Sequence, residues 1–272
     1  GSLPVAVWVG RTVRGFTEDS REVQPGFLFV AIPGVNVDGY RFVPDALARE
    51  AAAIVSEREP EGQPSVPWVV VPEARAALAQ IAAAWYGHPG RRMRVIGVTG
   101  TDGKTTTATL IHSALTTGGQ KTALITTVQA LCGDQVWDTG LHTTTPDAAV
   151  LTNVTAEHLD YHHTWEAYRG AKAMLFQSLL ETARKPGVPK VSVLNRDDPS
   201  FSFFRAFPAD AHWTYGLAAE ADVRGVATVS ERGGLRLRVE TPMGPTEICS
   251  PLPGRFNVYN LLAALSTALS QG

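Results

Sequence analysis

The 272-residue sequence has few cysteines and no long apolar run, and both absences restrict what the protein can be. Its two cysteines, Cys132 and Cys249, lie far apart without metal-ligand spacing, which argues against a disulfide framework and favours a reducing cytoplasm. No apolar stretch has membrane-spanning length, and no charged segment leads into a signal-type apolar region. We therefore expect a chain that is neither anchored in a membrane nor exported.

A strong charge of either sign is also lacking. The formal charge of −2 and the hydrophobic share of 44% are those of an ordinary folded protein. This balance offers no basic surface for nucleic acid, so we expect no nucleic-acid partner. The length permits two domains. We expect the protein to be a monomer.

The first third of the chain has the pattern of a small α/β unit. Strands are predicted for FLFVAI, AAIVSE and WVVV, and a helix for FVPDALAREA. An alanine-rich helix, EARAALAQIAAAWYGHPG, follows and ends at glycine and proline. We place a domain boundary near residue 90, which gives domains 1–90 and 91–272.

Apolar runs and helical stretches also alternate beyond the boundary. Strands are predicted for MRVIGV, KTALITT, AAVLTNV and KVSVLN, with helices starting near Lys104, Trp165 and Pro199. This alternation predicts an α/β fold with a mostly parallel sheet covered by helices. After Ala211 the runs DVRGVATV, RLRVE and TEICS predict a smaller antiparallel sheet, and the helix NVYNLLAALSTALS follows.

The segment GTDGKTTT (residues 100–107) directly follows a predicted strand and opens a predicted helix. Glycines let a phosphate approach the unpaired N–H groups at a helix N-terminus. In such a loop Lys104 neutralises the β and γ phosphates and the Thr105 hydroxyl ligates Mg²⁺. The strict phosphate-loop pattern requires glycine where this chain has Val98, so a plain glycine turn is the alternative interpretation.

The shorter form G-T-x-G-K-T-T-T resembles the loop of the Mur ligase family and of its relatives, the folylpolyglutamate synthetases. Five further segments agree with the MurE type: DSREVQPGFLFVAIPGVNVDGYRFVPDALAREAAAIV, TTTPD, TNVTAEHLDYHHTWEAYRGAKAMLF, LNRDDP and PLPGRFNVYNLLAAL. The resemblance runs from about residue 17 to the end of the sequence. It implies an N-terminal uridine-nucleotide-binding domain followed by a central ATP-binding phosphate-loop domain.

One lysine lies within an apolar helical stripe of WEAYRGAKAMLFQSLL. The stripe consists of Tyr168, Ala171, Leu175, Phe176 and Leu179. Because a buried ammonium is costly, Lys172 must be neutral, paired or chemically altered, unless its stem packs while its charge reaches water. The resemblance implies that Lys172 is carbamylated and helps to hold a second Mg²⁺.

The resemblance also assigns the histidine of EHLDYH, His158, to this second Mg²⁺. Glu157 and Asp160 remain alternative oxygen ligands. His162 and His163 are interpreted as surface residues or as lining of the substrate pocket. Lys104, Lys172 and His158 are thus the predicted catalytic residues, and Thr105, His158 and carbamylated Lys172 the predicted metal ligands.

The loop pattern itself predicts Gly100, Gly103, Lys104 and Thr105 as ATP contacts, and the resemblance adds the others. The predicted contacts to ATP are Gly100, Thr101, Asp102, Gly103, Lys104, Thr105, Thr106, Asn195, Asp198, Arg255 and Asn257, with Asp197 in the same loop as Asp198. Those to the UDP-linked substrate are Ser20, Arg21, Val35, Asn36, Thr144 and Thr145. Without the resemblance these segments are polar turns, and Asn257 is a helix N-cap. Thr143 and Asp102 stand where the family often has asparagine.

Two parts of the family pattern are missing. TTTPD joins TNVTAEH through AAVL alone, near residues 147–149, where Mur ligases have several tens of residues that include a metal-binding glutamate. Either the printed sequence omits this stretch or the protein lacks it, and we favour omission, because a parallel sheet does not easily lose a central strand and its crossover. The C-terminal domain that selects the amino acid also has no counterpart in the sequence.

The resemblance implies an ATP- and Mg²⁺-dependent amide ligase of peptidoglycan precursor synthesis. Its substrates are UDP-N-acetylmuramoyl-L-alanyl-D-glutamate and a diamino acid, and the reaction passes through an acyl phosphate. Two alternatives stay open: a non-catalytic nucleotide-binding module, and a related ligase acting on folate or on another UDP-muramoyl intermediate. The N-terminal segment SREVQPGFLFVAIPG argues against folate, and HLDYH argues for MurE over MurF.

Overall fold

A computed structural model describes residues 12–34, 37–128, 130–132, 135–137, 146–155, 164–181, 183–231 and 234–272. The chain divides into two compact units, Gly1–Arg92 and Met93–Gly272, and each has its own hydrophobic core. Among the described residues, no helix combines the length and the apolar character needed to cross a membrane.

The first unit is a four-stranded, fully parallel sheet with a helix on each face. In spatial order its strands are β1 (Gly15–Thr17), β2 (Phe27–Val30), β3 (Ala53–Ser56) and β4 (Trp68–Val70). Its helices are α1 (Val43–Ala48) and α2 (Ala74–Trp85), with 3-10 turns at Ser20–Glu22, Gly39–Phe42 and Pro89–Arg91. Because successive strand side chains point to opposite faces, Leu28 and Val30 pack with α2, while Phe29 packs with α1.

The second unit contains a seven-stranded mixed sheet. Its strands are β5 (Ile96–Thr99), β9 (Ala148–Leu151), β10 (Val191–Asn195), β11 (Ala211–Gly216), β12 (Val223–Glu231), β13 (Gly234–Glu240) and β14 (Thr246–Ser250). The spatial order is β14-β13-β12-β11-β10-β9-β5; the five strands from β12 to β5 are parallel, and β13 and β14 are antiparallel. A separate antiparallel sheet contains β6 (Ala123–Ile125), β7 (Ala130–Cys132) and β8 (Gln135–Trp137).

Among the described residues, four helices cover the two faces of the seven-stranded sheet. They are α3 (Lys104–Thr117), α4 (Trp165–Glu181), α5 (Phe201–Arg205) and α6 (Arg255–Gln271). Val150 and Val193 share a core with α3 and α6, whereas Ala149 and Leu151 share a core with α4 and α5. The alternation along β9 therefore fixes which helix pair lies on which face.

The predicted α/β fold class is confirmed, and so is the antiparallel pairing of the runs after Ala211, but two predictions of sheet membership were wrong. KTALITT supplies β6, which lies in the separate antiparallel sheet and not in the parallel one. The runs after Ala211 do not form their own sheet: they extend the large sheet, because β11 pairs parallel with β10 and with β12 before the direction reverses at β13. Periodicity identifies a strand but not its neighbour.

The described sheet has no counterpart of the strand that the family pattern places in sequence between TTTPD and TN. Strand β5 pairs directly with β9 from Ile96↔Ala148 to Thr99↔Leu151, and β9 pairs with β10 on its other side. The carboxyl ends of β5, β9 and β10 consequently lie next to one another at one edge of the sheet. The loops that follow these strands form the candidate site.

Candidate functional site

The loop between β5 and α3 has the backbone that its two glycines permit. Gly100 (φ +154°) and Gly103 (φ +78°) lie in a region that side chains disfavour. A Cβ on Gly100 would collide with the Thr152 hydroxyl, and one on Gly103 with the Asn260 side-chain oxygen. The two glycines therefore let the loop pack closely against Thr152 and Asn260 at the N-terminus of α3, where the first N–H groups have no partner inside the helix. We call residues 100–103 at this helix end the cradle.

The segment Thr152–Thr155, which follows β9, fixes the shape of this loop. Asn153 binds the Asp102 main chain at both ends, because its Oδ1 accepts from the Asp102 N–H (3.1 Å) and its Nδ2 donates to the Asp102 carbonyl (3.1 Å). The Thr152 hydroxyl donates to the same carbonyl at 2.6 Å, and the Thr101 N–H donates to the Asn153 carbonyl at 2.9 Å. The loop is thus held in one shape before any phosphate arrives.

Two lysines meet at one carbonyl of the loop. The Lys104 ammonium donates to the Gly100 carbonyl (2.9 Å) and to the Thr101 carbonyl (2.7 Å). The Lys172 ammonium, from α4, donates to the same Gly100 carbonyl at 3.1 Å and lies 4.1 Å from the centre of the Tyr168 ring. Two residues that are 68 positions apart in sequence thereby place positive charge beside the cradle.

The apolar stripe of α4 differs in one position from the expectation. Tyr168, Phe176 and Leu179 are buried and Leu175 packs against them, but Ala171 is exposed. The buried stripe instead includes Ala173, so Lys172 lies at its border and is half-buried. A lysine at the border can extend its ammonium to the loop without crossing the core.

Asn195 and Asp198, predicted to contact ATP, are both buried: Asn195 ends β10, and Asp198 lies in the loop that follows. The Asn195 side chain donates to the Thr152 carbonyl (2.9 Å), and Asp198 accepts from the Val154 and Ser200 N–H groups at 2.7 and 2.8 Å. Burial raises the pKa of Asp198, and these hydrogen bonds offset only part of that rise. Both side chains therefore hold the Thr152–Thr155 segment, and through it the phosphate loop.

The predicted N-cap role of Asn257 was wrong. Helix α6 begins at Arg255 with Gly254 as its N-cap, and Asn257 lies inside the first turn. Its buried amide donates to the Pro253 carbonyl (2.7 Å) and accepts from Asn260 (3.0 Å). Since Asn260 in turn accepts from the Thr107 hydroxyl at 3.2 Å, this chain of amides joins α6 to α3.

Asp197 and Tyr259 form an exposed polar group beside the start of α6. The Tyr259 hydroxyl donates to Asp197 at 3.1 Å, and Asp197 also accepts from the Leu217 and Ala218 N–H groups at 2.6 and 3.1 Å. Burial and the Asp197 carboxylate raise the pKa of Tyr259, while a hydrogen bond involving Arg255 lowers it. Arg255 is exposed at the N-terminal end of α6.

In the first unit, Ser20 and Arg21 lie just beyond the carboxyl end of β1, in the 3-10 turn that Asp19 caps. Ser20 is buried, and the exposed Arg21 guanidinium is hydrogen-bonded to both carboxylate oxygens of Asp19 (2.9 and 2.5 Å). These hydrogen bonds lower the pKa of Asp19 to about 2. The other predicted substrate contacts, Val35, Asn36, Thr144 and Thr145, lie outside the described residues, as does Thr143.

The predicted metal ligands are only partly within the described residues. Thr105 is exposed on the first turn of α3 and Lys172 reaches the same loop, but the described part of the chain does not include His158, Glu157, Asp160, His162 or His163. No group of three or more His, Cys, Asp or Glu side chains arranged for a metal occurs among the described residues. Thr106 is half-buried beside Thr105.

Asp147 lies in a buried charge cluster at the amino ends of β5, β9 and β10, opposite the ends that carry the candidate site. Its carboxylate pairs with Lys185 and with Lys190 (2.9 Å) and accepts from the Val95 N–H at 3.0 Å. Burial alone raises the pKa of Asp147, but the hydrogen bonds from Lys185, Lys190 and Val95 outweigh it and the pKa is lowered. This cluster is a structural anchor, remote along the strands from the phosphate loop.

Sequence reasoning missed the residues that shape the loop from outside it: Thr152, Asn153 and Asn260. Thr152 and Asn153 follow a predicted strand, and polar residues at that position are a usable signal for a site. Asn260 has no such signal, since it lies in the middle of an apolar helix. Only the contacts of its side chain with Gly103 and Thr107 in the structure show that Asn260 shapes the loop.

Comparison with known proteins agrees with this geometry. Residues 12–86 match the family model of the Mur ligase family catalytic domain, and residues 136–268 match that of the Mur ligase middle domain. The UDP-N-acetylmuramyl-tripeptide synthetase of Roseiflexus sp. is 42% identical, over 97% of this chain and 61% of its own length. The UDP-N-acetylmuramoyl-L-alanyl-D-glutamate–2,6-diaminopimelate ligase of Geobacillus thermodenitrificans is 39% identical, over 93% of this chain and 59% of its own length.

Solved structures show the same architecture. A UDP-N-acetylmuramoyl-L-alanyl-D-glutamate–2,6-diaminopimelate ligase superposes with a TM-score of 0.79 at 28% identity, over 94% of this chain and 59% of the other. MurF from Acinetobacter baumannii, at 22% identity and a TM-score of 0.68, shares the fold.

The chain spans about 60% of the length of these curated relatives. The alignment with the Roseiflexus protein also extends over 311 positions, more than this chain has residues, so that relative has several tens of residues without a counterpart here. The two family models lie in the order that the sequence segments predicted, one on each side of the phosphate loop, and the chain belongs to the Mur ligase family.

Proposed function

We propose that the protein is an ATP-dependent amide ligase that adds the third amino acid to UDP-N-acetylmuramoyl-L-alanyl-D-glutamate in peptidoglycan precursor synthesis. The observation that carries the proposal is the convergence of Lys104 and Lys172 on the Gly100 carbonyl, beside a glycine cradle at the N-terminus of α3. This arrangement suits a polyphosphate, because it places the Lys104 ammonium at the N-terminal end of a helix, where anions bind favourably. The relatives' names supply the substrate class.

The chemistry explains why a phosphate loop is needed. A carboxylate is a poor acyl donor at neutral pH, so a D-glutamyl carboxylate oxygen first attacks the γ phosphorus of ATP and ADP leaves. The amine of a diamino acid then attacks the acyl carbon, and the tetrahedral intermediate collapses with loss of phosphate. Lys104 would stabilise the negative charge on the γ-phosphoryl group as the bond to ADP breaks.

Mg²⁺ would supply further positive charge to the β and γ phosphates. We propose Thr105 as a ligand of one ion, and His158 with carbamylated Lys172 as ligands of a second. The position of Lys172 supports its part, since its amine already lies at the loop. Gly100, Thr101, Asp102, Gly103 and Thr106 would surround the phosphates, with Arg255 and Asn257 on the nucleoside side.

The UDP-linked substrate would bind through Ser20, Arg21, Val35 and Asn36, with Thr144 and Thr145 near the γ phosphate. The location of Ser20 and Arg21 after a parallel strand supports this, because α/β sheets bind ligands beyond the carboxyl ends of their strands. We propose that the protein acts in the cytoplasm as a monomer, without nucleic-acid or membrane partners. Its product would serve cell-wall biogenesis and hence cell shape and division.

An assay of ADP release with the full-length protein tests the proposal. We expect release only when ATP, the UDP-dipeptide and a diamino acid are all present, and little release when any one is left out. Lys104→Met keeps the length of the side chain but removes its charge, and it should abolish the activity. ADP release that does not depend on the UDP-dipeptide would contradict the proposed function.

One observation favours a second candidate, a non-catalytic nucleotide-binding module. The chain runs from Asp147 directly into β9, so the segment with the metal-binding glutamate of the family pattern has no counterpart at this point of the sequence. A non-catalytic module would still bind ATP, which titration calorimetry would measure. It would release no ADP with any combination of substrates. Turnover by the full-length protein would exclude it.

A further inference from the structure

Tyr168 connects helix α4 to the phosphate loop. Its side chain is 3% exposed, and its hydroxyl lies 3.0 Å from the Thr101 hydroxyl. Its ring carries the Lys172 ammonium on one face, 4.1 Å from the ring centre. One side chain thus contacts both the loop and the lysine that reaches the loop.

Thr101 gives this connection a fixed end. The Thr101 hydroxyl donates to the Thr155 carbonyl (3.2 Å) and accepts from the Thr155 N–H (3.0 Å). Either hydroxyl can be the donor in the 3.0 Å hydrogen bond between the Tyr168 and Thr101 side chains. The Tyr168 hydroxyl is therefore hydrogen-bonded to a loop residue, Thr101, that the segment after β9 also holds.

The other end of the connection is the Lys172 ammonium. Lys172 follows Tyr168 by four residues, so both lie on the same side of α4. The aromatic face attracts the ammonium, and the Gly100 carbonyl accepts from it at 3.1 Å. Lys104 donates to the same carbonyl, so Lys172 lies next to the lysine that the proposed function assigns to the phosphates.

We propose that Tyr168 is a positioning residue for Lys172. Its hydroxyl fixes α4 to the phosphate loop through Thr101, and its ring holds the unmodified Lys172 amine beside Gly100, so that the amine has one position relative to the loop before it is carbamylated. The expected effect of Tyr168 on catalysis rests on the proposed ligase function. The expected effect of Tyr168 on the position of Lys172 rests on the contacts alone.

The test compares Tyr168→Phe and Thr101→Val, each of which removes one hydroxyl of the contact between α4 and the loop, with Thr267→Val. Thr267 is the matched control: it is fully buried, and its hydroxyl donates to the Ala263 carbonyl (2.7 Å) within α6. Two quantities are measured in each variant. The first is the kcat and KM for ATP in UDP-dipeptide-dependent ADP release; the second is the rate at which an amine-acylating reagent labels Lys172 and Lys104, read by peptide mass spectrometry in CO₂-free buffer.

We expect Tyr168→Phe to lower kcat by about tenfold and to change the KM for ATP by less than about threefold, because misplacement of a positioned group acts on the chemical step. Lys172 should be labelled several times faster, with Lys104 unchanged. Thr267→Val should lower the melting temperature, because it also removes a buried hydrogen bond, but it should change neither quantity. Thr101→Val, which removes the other partner, should reproduce the kinetic and labelling changes of Tyr168→Phe.

Labelling of Lys172 that is the same in wild type, Tyr168→Phe and Thr101→Val would overturn the positioning role. An equal loss of kcat in Thr267→Val would also overturn it, because the loss of any buried hydroxyl would then lower the activity. If the wild type releases no ADP with the UDP-dipeptide, the proposed function fails, while the labelling rates still decide the role of Tyr168.

Discussion

Asn153 holds the main chain of Asp102 from both sides, accepting from its N–H and donating to its carbonyl, each at 3.1 Å. An asparagine from one strand end thus sets the shape of a loop that follows another strand. This contact, together with the Thr152 hydroxyl on the same carbonyl, explains how a loop with a displaced first glycine keeps a defined cradle.

Asn153→Asp should therefore weaken ATP binding. The carboxylate keeps the size of the amide, but it replaces the donor that faces the Asp102 carbonyl with an acceptor. Loss of such a hydrogen bond costs about 1 kcal/mol or more, so we expect an affinity about tenfold lower by titration calorimetry. Gln177→Glu, the same change of charge on the exposed side of α4, is the control and should leave the affinity unchanged.

Asp102→Asn should leave nucleotide binding intact or improve it. The Asp102 side chain is exposed on the loop, and its carboxylate repels phosphate charge, whereas the contacts to Asn153 use only main-chain atoms. We expect the gain in affinity to shrink as salt is added, because screening removes the repulsion in the wild type as well. A large loss of ATP affinity in Asp102→Asn would show that the carboxylate has a direct role.

Gly103→Ala should destabilise the protein more than Gly187→Ala. Both glycines have a positive φ (+78° and +70°), so each alanine pays a similar backbone cost of about 1 kcal/mol. Only at Gly103 does the new Cβ meet another group, the Asn260 side chain, while nothing lies within 4 Å at Gly187. Denaturant unfolding should show an additional loss of about 1–3 kcal/mol for Gly103→Ala; equal losses would mean that Asn260 moves aside freely.

The buried Asp147 cluster should make stability depend on acid pH. The folded-state pKa of Asp147 is lowered, so its contribution is fully present above the unfolded pKa near 3.8 and is lost as the pH falls through the lower folded value. Asp198, whose pKa is raised by burial, acts in the opposite direction, because protonation at low pH relieves its desolvation. Denaturant unfolding between pH 6 and pH 2 measures the sum.

The matched variants for this cluster are Asp147→Asn and Lys190→Met. Each removes one partner of a buried pair, and each should cost about 3–5 kcal/mol at neutral pH. Asp147→Asn should also flatten the acid limb of the stability profile. An unchanged acid limb in Asp147→Asn would assign the pH dependence to other carboxylates, such as Asp19.

Local features of the sequence predicted the loop and missed what surrounds it. An apolar run followed by glycines, a lysine and threonines is enough to predict β5, the loop and α3, since each of these depends on neighbouring residues. Asn257 was misassigned as an N-cap because its partner Asn260 makes it part of a buried amide chain, which a preference for caps does not reveal. The neighbours of β6 depend on pairing across the sheet, for which the run KTALITT carries no information.

The family resemblance, and not the chemistry of single residues, indicated the ligase. Lys172 shows the difference: its place in a helical stripe predicted an unusual lysine, and the structure brings its amine to the Gly100 carbonyl, 72 residues earlier in the chain. Carbamylation and the His158 contact remain proposals.

The most direct measurement of the central claim follows an oxygen atom. The full-length protein is supplied with ATP, a diamino acid and UDP-dipeptide whose D-glutamyl carboxylate is labelled with ¹⁸O, and the phosphate released is analysed by mass spectrometry. An acyl phosphate leaves one carboxylate oxygen on phosphorus, so we predict one ¹⁸O in each phosphate and a UDP-tripeptide as the organic product. Unlabelled phosphate would show that water attacks ATP instead, and it would contradict the ligase mechanism.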